Sequence, residues 1–285
     1  MTDVAGKTIY LTGGCSGTGL AAGKILAGLG AHIVILDLNP SEPALREIGL
    51  ARRAANQLVA GYRINVADRK ITMGAVALAA SECGAPDILI NMAGIAIAEE
   101  FINMTSETFD RVIQVNVYGT RNIVEAVLPF MISRGSGKLV LAGSMGGILP
   151  VFGYTAYGTS EFAVLGLAQC LRCELKPRGI GIACFCPGEM ETPELAEEHR
   201  TLHPATRALM KIGGTMHPEA AARDLVKGIR SDQFLIIPGL KMKVTWWLYR
   251  LTPVWLWNSI TDSIVAKALR RNTEVRNRVS VGRLL

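Results

Sequence analysis

Short apolar runs recur along the chain, separated by longer stretches of helical period. The runs fall at 8–11, 33–37, 61–65, 88–91, 138–142, 180–186 and 234–237. They are rich in Ile, Val and Leu, and several lack polar alternation, as strands do when a sheet is covered on both faces. The stretches 18–29, 42–57, 69–82, 106–114, 117–134, 156–175 and 218–230 predict helices. This alternation predicts an α/β fold: a doubly wound parallel sheet with right-handed crossovers and helices on both sides. No repeat or linker divides residues 1–240, which read as one domain, and 285 residues suffice for one large core.

After Pro238-Gly239 the pattern changes, and 241–285 reads as a helical, hydrophobic and basic extension. All four tryptophans (Trp246, Trp247, Trp255 and Trp257) lie within twelve residues there. Charge sharpens the contrast. Residues 241–285 hold nine Lys or Arg and two acids, a local +7, whereas the first 240 residues sum to −1. The apolar stretch 244–257 contains Arg250 and Pro253 and is shorter than the roughly 20 residues that span a bilayer. Two readings follow: a hydrophobic lid or subunit contact, and peripheral contact with an anionic membrane. Nucleic acid is not an expected partner, because the body carries no basic stripe interleaved with aromatics.

The N-terminal residues show no basic-then-apolar leader, so no secretory signal is expected. Six spread cysteines suit a reducing cytoplasm, and Cys170, Cys173, Cys184 and Cys186 read as packed thiols rather than zinc ligands. His199 and His203 share helical spacing but lack an intervening glutamate, and no metal is expected.

Chemistry enters with Thr12-Gly13-Gly14-Cys15-Ser16-Gly17-Thr18-Gly19, which follows the first strand and opens the first helix. Glycines at 13, 17 and 19 permit a tight turn and bring backbone close to a pyrophosphate at the helix N-terminus. This context predicts a Rossmann-type dinucleotide site. Asp37 ends the second strand, where a carboxylate accepts from a ribose diol and repels a 2′-phosphate. Leu38 and Asn39 follow, with no Lys or Arg, so NAD is predicted over NADP.

Further along come Asn91-Met92-Ala93-Gly94, Asn116, Ser144, Tyr157, and Pro187-Gly188 followed by Thr192. Together with the glycine turn, these motifs resemble the short-chain dehydrogenase/reductase family over roughly 5–238. The resemblance implies that Tyr157 exchanges a proton with a carbonyl or alcohol oxygen. It also implies that Ser144 steadies the charge on that oxygen and that Asn116 holds the water of a proton relay. It assigns nucleotide contacts to Gly13, Cys15, Ser16, Gly17, Thr18, Gly19, Asp37, Leu38, Asn65, Val66, Asn91, Ala93, Gly94, Tyr157, Pro187, Gly188, Met190 and Thr192, and it implies a homo-oligomer.

One position departs from the pattern. Where the family places Lys four residues after the tyrosine, this chain has Glu161. Glu161 can still accept from ribose hydroxyls, but its negative charge would raise the Tyr157 pKa. Two charges ~5 Å apart at an effective dielectric near 20 interact by about 3 kcal/mol, on the order of two pKa units. Tyr157 is then expected to be a competent acid and a poor base. Within the family, 152–157, 174–177 and 191–201 resemble 3-ketodihydrosphingosine reductases, which implies a lipid-like ketone substrate. Asp37 departs from the NADPH use of that group. Three functions stand: an NAD(H)-linked oxidoreductase of a hydrophobic substrate, a catalytically impaired nucleotide-binding or membrane-recruited protein, and a different NAD-assisted reaction with Glu161 recruited as a base.

Overall fold

The computed structural model describes residues 2–191 and 202–281, with side chains through residue 270. Its strands are β1 Thr8–Thr12, β2 His32–Asp37, β3 Val59–Arg63, β4 Ile88–Asn91, β5 Gly137–Ala142, β6 Ile180–Phe185, β7 Glu189–Met190, β8 Thr215–Met216 and β9 Leu235–Ile236. Seven of them form one parallel sheet in the order β3-β2-β1-β4-β5-β6-β9. The chain starts in the middle, builds outward to β3, then returns to place β4 on the other side of β1. That reversal opens a crevice beyond the carboxyl ends of β1 and β4.

The helices are α1 Gly17–Gly28, α2 Glu42–Leu50, α3 Arg69–Cys83, α4 Ser106–Ile113, α5 Gly119–Arg134, α6 Thr155–Leu175, α7 Pro204–Gly213, α8 Pro218–Arg230, α9 Leu240–Leu251 and α10 Val254–Val281. Strand side chains alternate between two cores, as the period of two requires. Ile9, Leu11, Ile33 and Ile35 pack with Leu26 of α1 and Leu225 of α8. Tyr10, Val34 and Leu36 pack on the opposite face with Val76 of α3 and Val127 of α5.

Several boundaries differ from expectation, each for a local reason. The second helix stops at Leu50 rather than 57. Arg52 Nε donates to the Gly49 carbonyl (2.9 Å), and buried Gln57 donates to the carbonyls of Ala27 and Ala31 (2.7 and 2.8 Å). The break expected near 115–116 is absent, because a π-helical turn, Gln114–Tyr118, joins α4 to α5. Such turns are rare and concentrate at functional sites. Cys184 and Cys186 are buried thiols, but Cys170 and Cys173 are exposed, which corrects the packed reading for that pair.

The C-terminal helices are not an appendage. Met242 of α9 and Trp257 of α10 are 2% and 7% exposed and belong to the larger core, and α10 packs on α7. Among the described residues no helix is long and apolar enough to cross a membrane.

The first turn is the tightest point of the fold. A Cβ on Gly19 would lie 2.1 Å from the Gly13 carbonyl oxygen, a backbone atom that cannot swing aside. Gly19→Ala should therefore cost about 1–3 kcal/mol in urea unfolding. A variant as stable as the parent would show that the turn relaxes freely.

Candidate active site

The cleft begins at the glycine turn. Gly13 and Gly17 have φ of +63° and +51°, conformations that favour glycine. Ser16 sits at the N-cap of α1 and makes no side-chain cap bond, so the first-turn N–H groups face the crevice. From Gly13 and Ser16 a cavity of about 560 Å³ runs past Asp37, Leu38, Asn65 and Val66 to Ala93 and Gly94. Asp37 is fixed at its entrance: its Oδ1 accepts from Asn39 N (3.1 Å) and its Oδ2 from Cys15 N (3.3 Å). A bend that admits no Cβ, free helix-start amides and a held carboxylate together fit an adenosine pyrophosphate.

A buried hydrogen-bond chain joins this cleft to the second half of the site. Thr12 Oγ1 accepts from the Met92 and Ala93 amides (both 3.0 Å) and donates to Asn91 Oδ1 (2.6 Å). Asn91 Nδ2 donates to Thr120 Oγ1 (2.9 Å), which donates to the Asn116 carbonyl (2.6 Å). Asn116 Nδ2 donates to Ser160 Oγ (2.9 Å), and Ser160 Oγ donates to the Tyr157 carbonyl (2.7 Å). Asn91 is 1% exposed and lies beneath the cleft rather than along it. The side chain of Asn116 is likewise engaged. Its Oδ1 accepts from Ile95 N (2.8 Å), and its Nδ2 also donates to the Ile95 carbonyl (2.9 Å). It holds the 94–96 backbone against α6.

Ser144 follows β5 and caps a short 3₁₀ turn, its Oγ accepting from Gly146 N (3.0 Å). Tyr157 stands in the first turn of α6, and Tyr154 packs edge-on to it with centroids 5.3 Å apart. Burial holds the phenol well above its ordinary pKa. The Glu161 charge adds to this, and a hydrogen bond with Ser144 opposes it. Both residues line a largely apolar cavity of about 70 Å³ with Leu149, Val151, Leu209 and Trp257. Trp257 is one wall, and its indole N–H is buried without a partner. Gly188, expected at the nucleotide, lines this cavity, and its N–H donates to Met242 Sδ (3.0 Å).

Glu161 is 5% exposed on the next turn of α6. One carboxyl oxygen accepts from Asn116 Nδ2 at 3.4 Å, and the other has no partner. Burial raises its pKa to about 8. The sequence leads one to expect a carboxylate; the fold makes this group predominantly a neutral acid at pH 7. Its charge therefore presses on Tyr157 only in alkaline solution.

A model of the short chain dehydrogenase family matches residues 7–202. The chain belongs to that family, whose members are oxidoreductases. It is similar to 3-ketodihydrosphingosine reductase of Bos taurus, 28% identical over 95% of this chain and 89% of the relative. It is also similar to oxidoreductase UcpA of Escherichia coli K12, 32% identical over 68% and 73%. Among solved structures it is similar to the apo form of LigO from Sphingobium sp. strain SYK-6, with a TM-score of 0.72, 27% identity and 98% of each chain covered.

Set in this short-chain dehydrogenase fold, Gly13, Ser16, Asp37, Leu38, Asn65, Val66, Ala93 and Gly94 border one cleft, as grouped from sequence. Met190 lies in the short β7–β8 pair, and Pro187 accepts from Met145 N (2.8 Å). Thr192 and His199 fall outside the described residues. Arg111 and Gln114 border the nucleotide cleft and were missed. Leu209 in the second cavity was missed, because only long-range packing brings it there, whereas Trp257 stands where the lid reading of the Trp-rich segment puts it.

A buried acid with a raised pKa weakens the fold as it ionises. The unfolded chain loses this proton near 4.5, the folded chain near 8, so stability falls with rising pH across that window. Glu161→Gln should flatten the decline, gaining up to about 1.4 kcal/mol per pH unit over the parent. Urea midpoints measured through the window test this; parallel curves for the two proteins would refute it.

Proposed function

We propose that this chain is an NAD(H)-linked oxidoreductase that interconverts a carbonyl and an alcohol on a hydrophobic, lipid-like substrate. The observation that carries the reading is the pairing of Ser144 and Tyr157 at the end of an apolar cavity walled by Trp257. The similarity to a relative named for reduction of 3-ketodihydrosphingosine supports a lipid-like ketone.

In the reduction, the phenol of Tyr157 gives its proton to the carbonyl oxygen, which becomes the alcohol hydroxyl. A bound nicotinamide dinucleotide supplies the hydride that the carbonyl carbon takes up. Ser144 donates a hydrogen bond to the same oxygen and steadies the charge that develops on it. The apolar walls exclude water and strengthen both interactions. A neutral phenol is the form that reduction needs, and the raised pKa of Tyr157 keeps it in that form. Oxidation needs the phenolate, the form that burial makes scarce.

Asp37 supports NAD(H) over NADP(H), since a carboxylate at the end of the second strand repels a 2′-phosphate. Arg111 lines the same cleft and was not singled out from the sequence. The parent should bind NADH more tightly than NADPH, and Asp37→Ala should narrow the gap by roughly tenfold, the order of one screened repulsion. Calorimetric titration decides; equal affinities in the parent would overturn the preference.

Tyr157 also supplies a kinetic test. Glu161→Lys should raise the rate of secondary-alcohol oxidation and move the alkaline rise of its pH profile toward neutrality. Glu161→Gln should match the parent below about pH 8, where Glu161 is itself protonated, and separate from it only above. Both are measured at saturating cofactor. An oxidation profile unmoved in Glu161→Lys would mean that this position does not govern Tyr157.

A further inference from the structure

α9 carries two faces of opposite character. Met242 and Thr245 are buried on one, with Tyr249 half-buried beside them. On the other, Leu240, Val244, Trp247, Leu248 and Leu251 are all exposed, at spacings of three and four residues. At 3.6 residues per turn these five fall on a single stripe about 100° wide. Trp255, in the first turn of α10, extends the apolar surface and is 68% exposed.

The cations are ordered around this stripe. Lys243 and Arg250 are exposed and lie seven residues apart along one edge, and Arg250 stacks over the Trp246 ring. Lys241 lies along the other edge, its ammonium reaching the Lys211 carbonyl. No Asp or Glu occurs between 240 and 261. An apolar stripe with exposed tryptophan, cations on both edges and no acid is the surface that lies in a bilayer interface.

We propose that the face made by α9 and the start of α10 docks on an anionic phospholipid surface. A second copy of the chain fits it less well. A twofold contact on this stripe would bring Lys243 and Arg250 toward their own counterparts with no carboxylate in the patch to meet them. The docked face and the substrate cavity share a helix: Trp255 points outward, and two residues on Trp257 is buried as a wall of the Ser144–Tyr157 cavity. Docking brings that cavity to the lipid surface. This use of docking rests on the lipid-like substrate reading, whereas the docking itself does not.

The test is co-sedimentation of the full chain with vesicles of phosphatidylcholine alone or mixed with phosphatidylserine, at low and raised salt. The full chain should bind the mixed vesicles, bind phosphatidylcholine alone far more weakly, and lose affinity as salt screens the charges. Lys243→Ala with Arg250→Ala should lower the partition coefficient about 30-fold. Trp247→Glu with Trp255→Glu should abolish binding; the thermal midpoint of both double variants should fall by only a few degrees, since what is lost is the surface contacts of Arg250 and Trp247 with the Trp246 ring. The proposal fails if the full chain ignores mixed vesicles, or if either double variant binds like the parent. It also fails if sedimentation equilibrium shows a dimer that Trp247→Glu dissociates and no lipid binding is seen. Turnover of a water-soluble ketone, assayed without vesicles, is read separately. Its absence would count against the redox reading and leave the vesicle result standing.

Discussion

The site depends on one directional chain of buried hydrogen bonds, from Thr12 through Asn91, Thr120, Asn116 and Ser160 to the Tyr157 carbonyl. Each hydroxyl or amide donates onward to the next acceptor. The glycine turn after β1 is thereby tied to the helix that carries the proton donor, through side chains that water does not reach. Buried polar groups of this kind are costly unless every member is satisfied. Removing Asn91 would leave Thr12 without an acceptor and Thr120 without a donor. Asn116 sits in the π turn at 114–118, its amide facing α6.

Glu161 is the member of this neighbourhood that does not balance. It sits where the chain of bonds ends, one oxygen weakly engaged and the other with no partner, and low polarity keeps it protonated at neutral pH. A lysine at the same place would carry charge into the pocket, whereas this acid brings almost none. The difference from the family is therefore chiefly the loss of a positive charge near Tyr157, with a negative one appearing only in alkali. Reduction tolerates that loss better than oxidation does.

Much of this was legible in the sequence because it is local. The strand runs fix the sheet, Gly13, Gly17 and Gly19 fix the turn, and Ser144 and Tyr157 stand at recognisable spacing. The ionisation of Glu161 was not legible, since a residue letter carries a charge only until its burial is known. Asn91 illustrates the same limit: its motif marks the right strand end, but only packing shows that its side chain faces inward. Trp257 and Met242 lay furthest from reach, because nothing in a run of tryptophans and lysines says which rings turn toward Ser144.

The contact between Gly188 and Met242 has a consequence for how the protein is made. A Cβ at 188 would meet the methionine terminus at 2.5 Å, so the loop after β6 is shaped around a side chain that is synthesised more than fifty residues later. A domain generally folds as a unit. The wall opposite Ser144 and Tyr157 therefore waits for α9 and α10, whose Met242 and Trp257 belong to the larger core. The place for substrate is thus complete only once the C-terminal helices have been made.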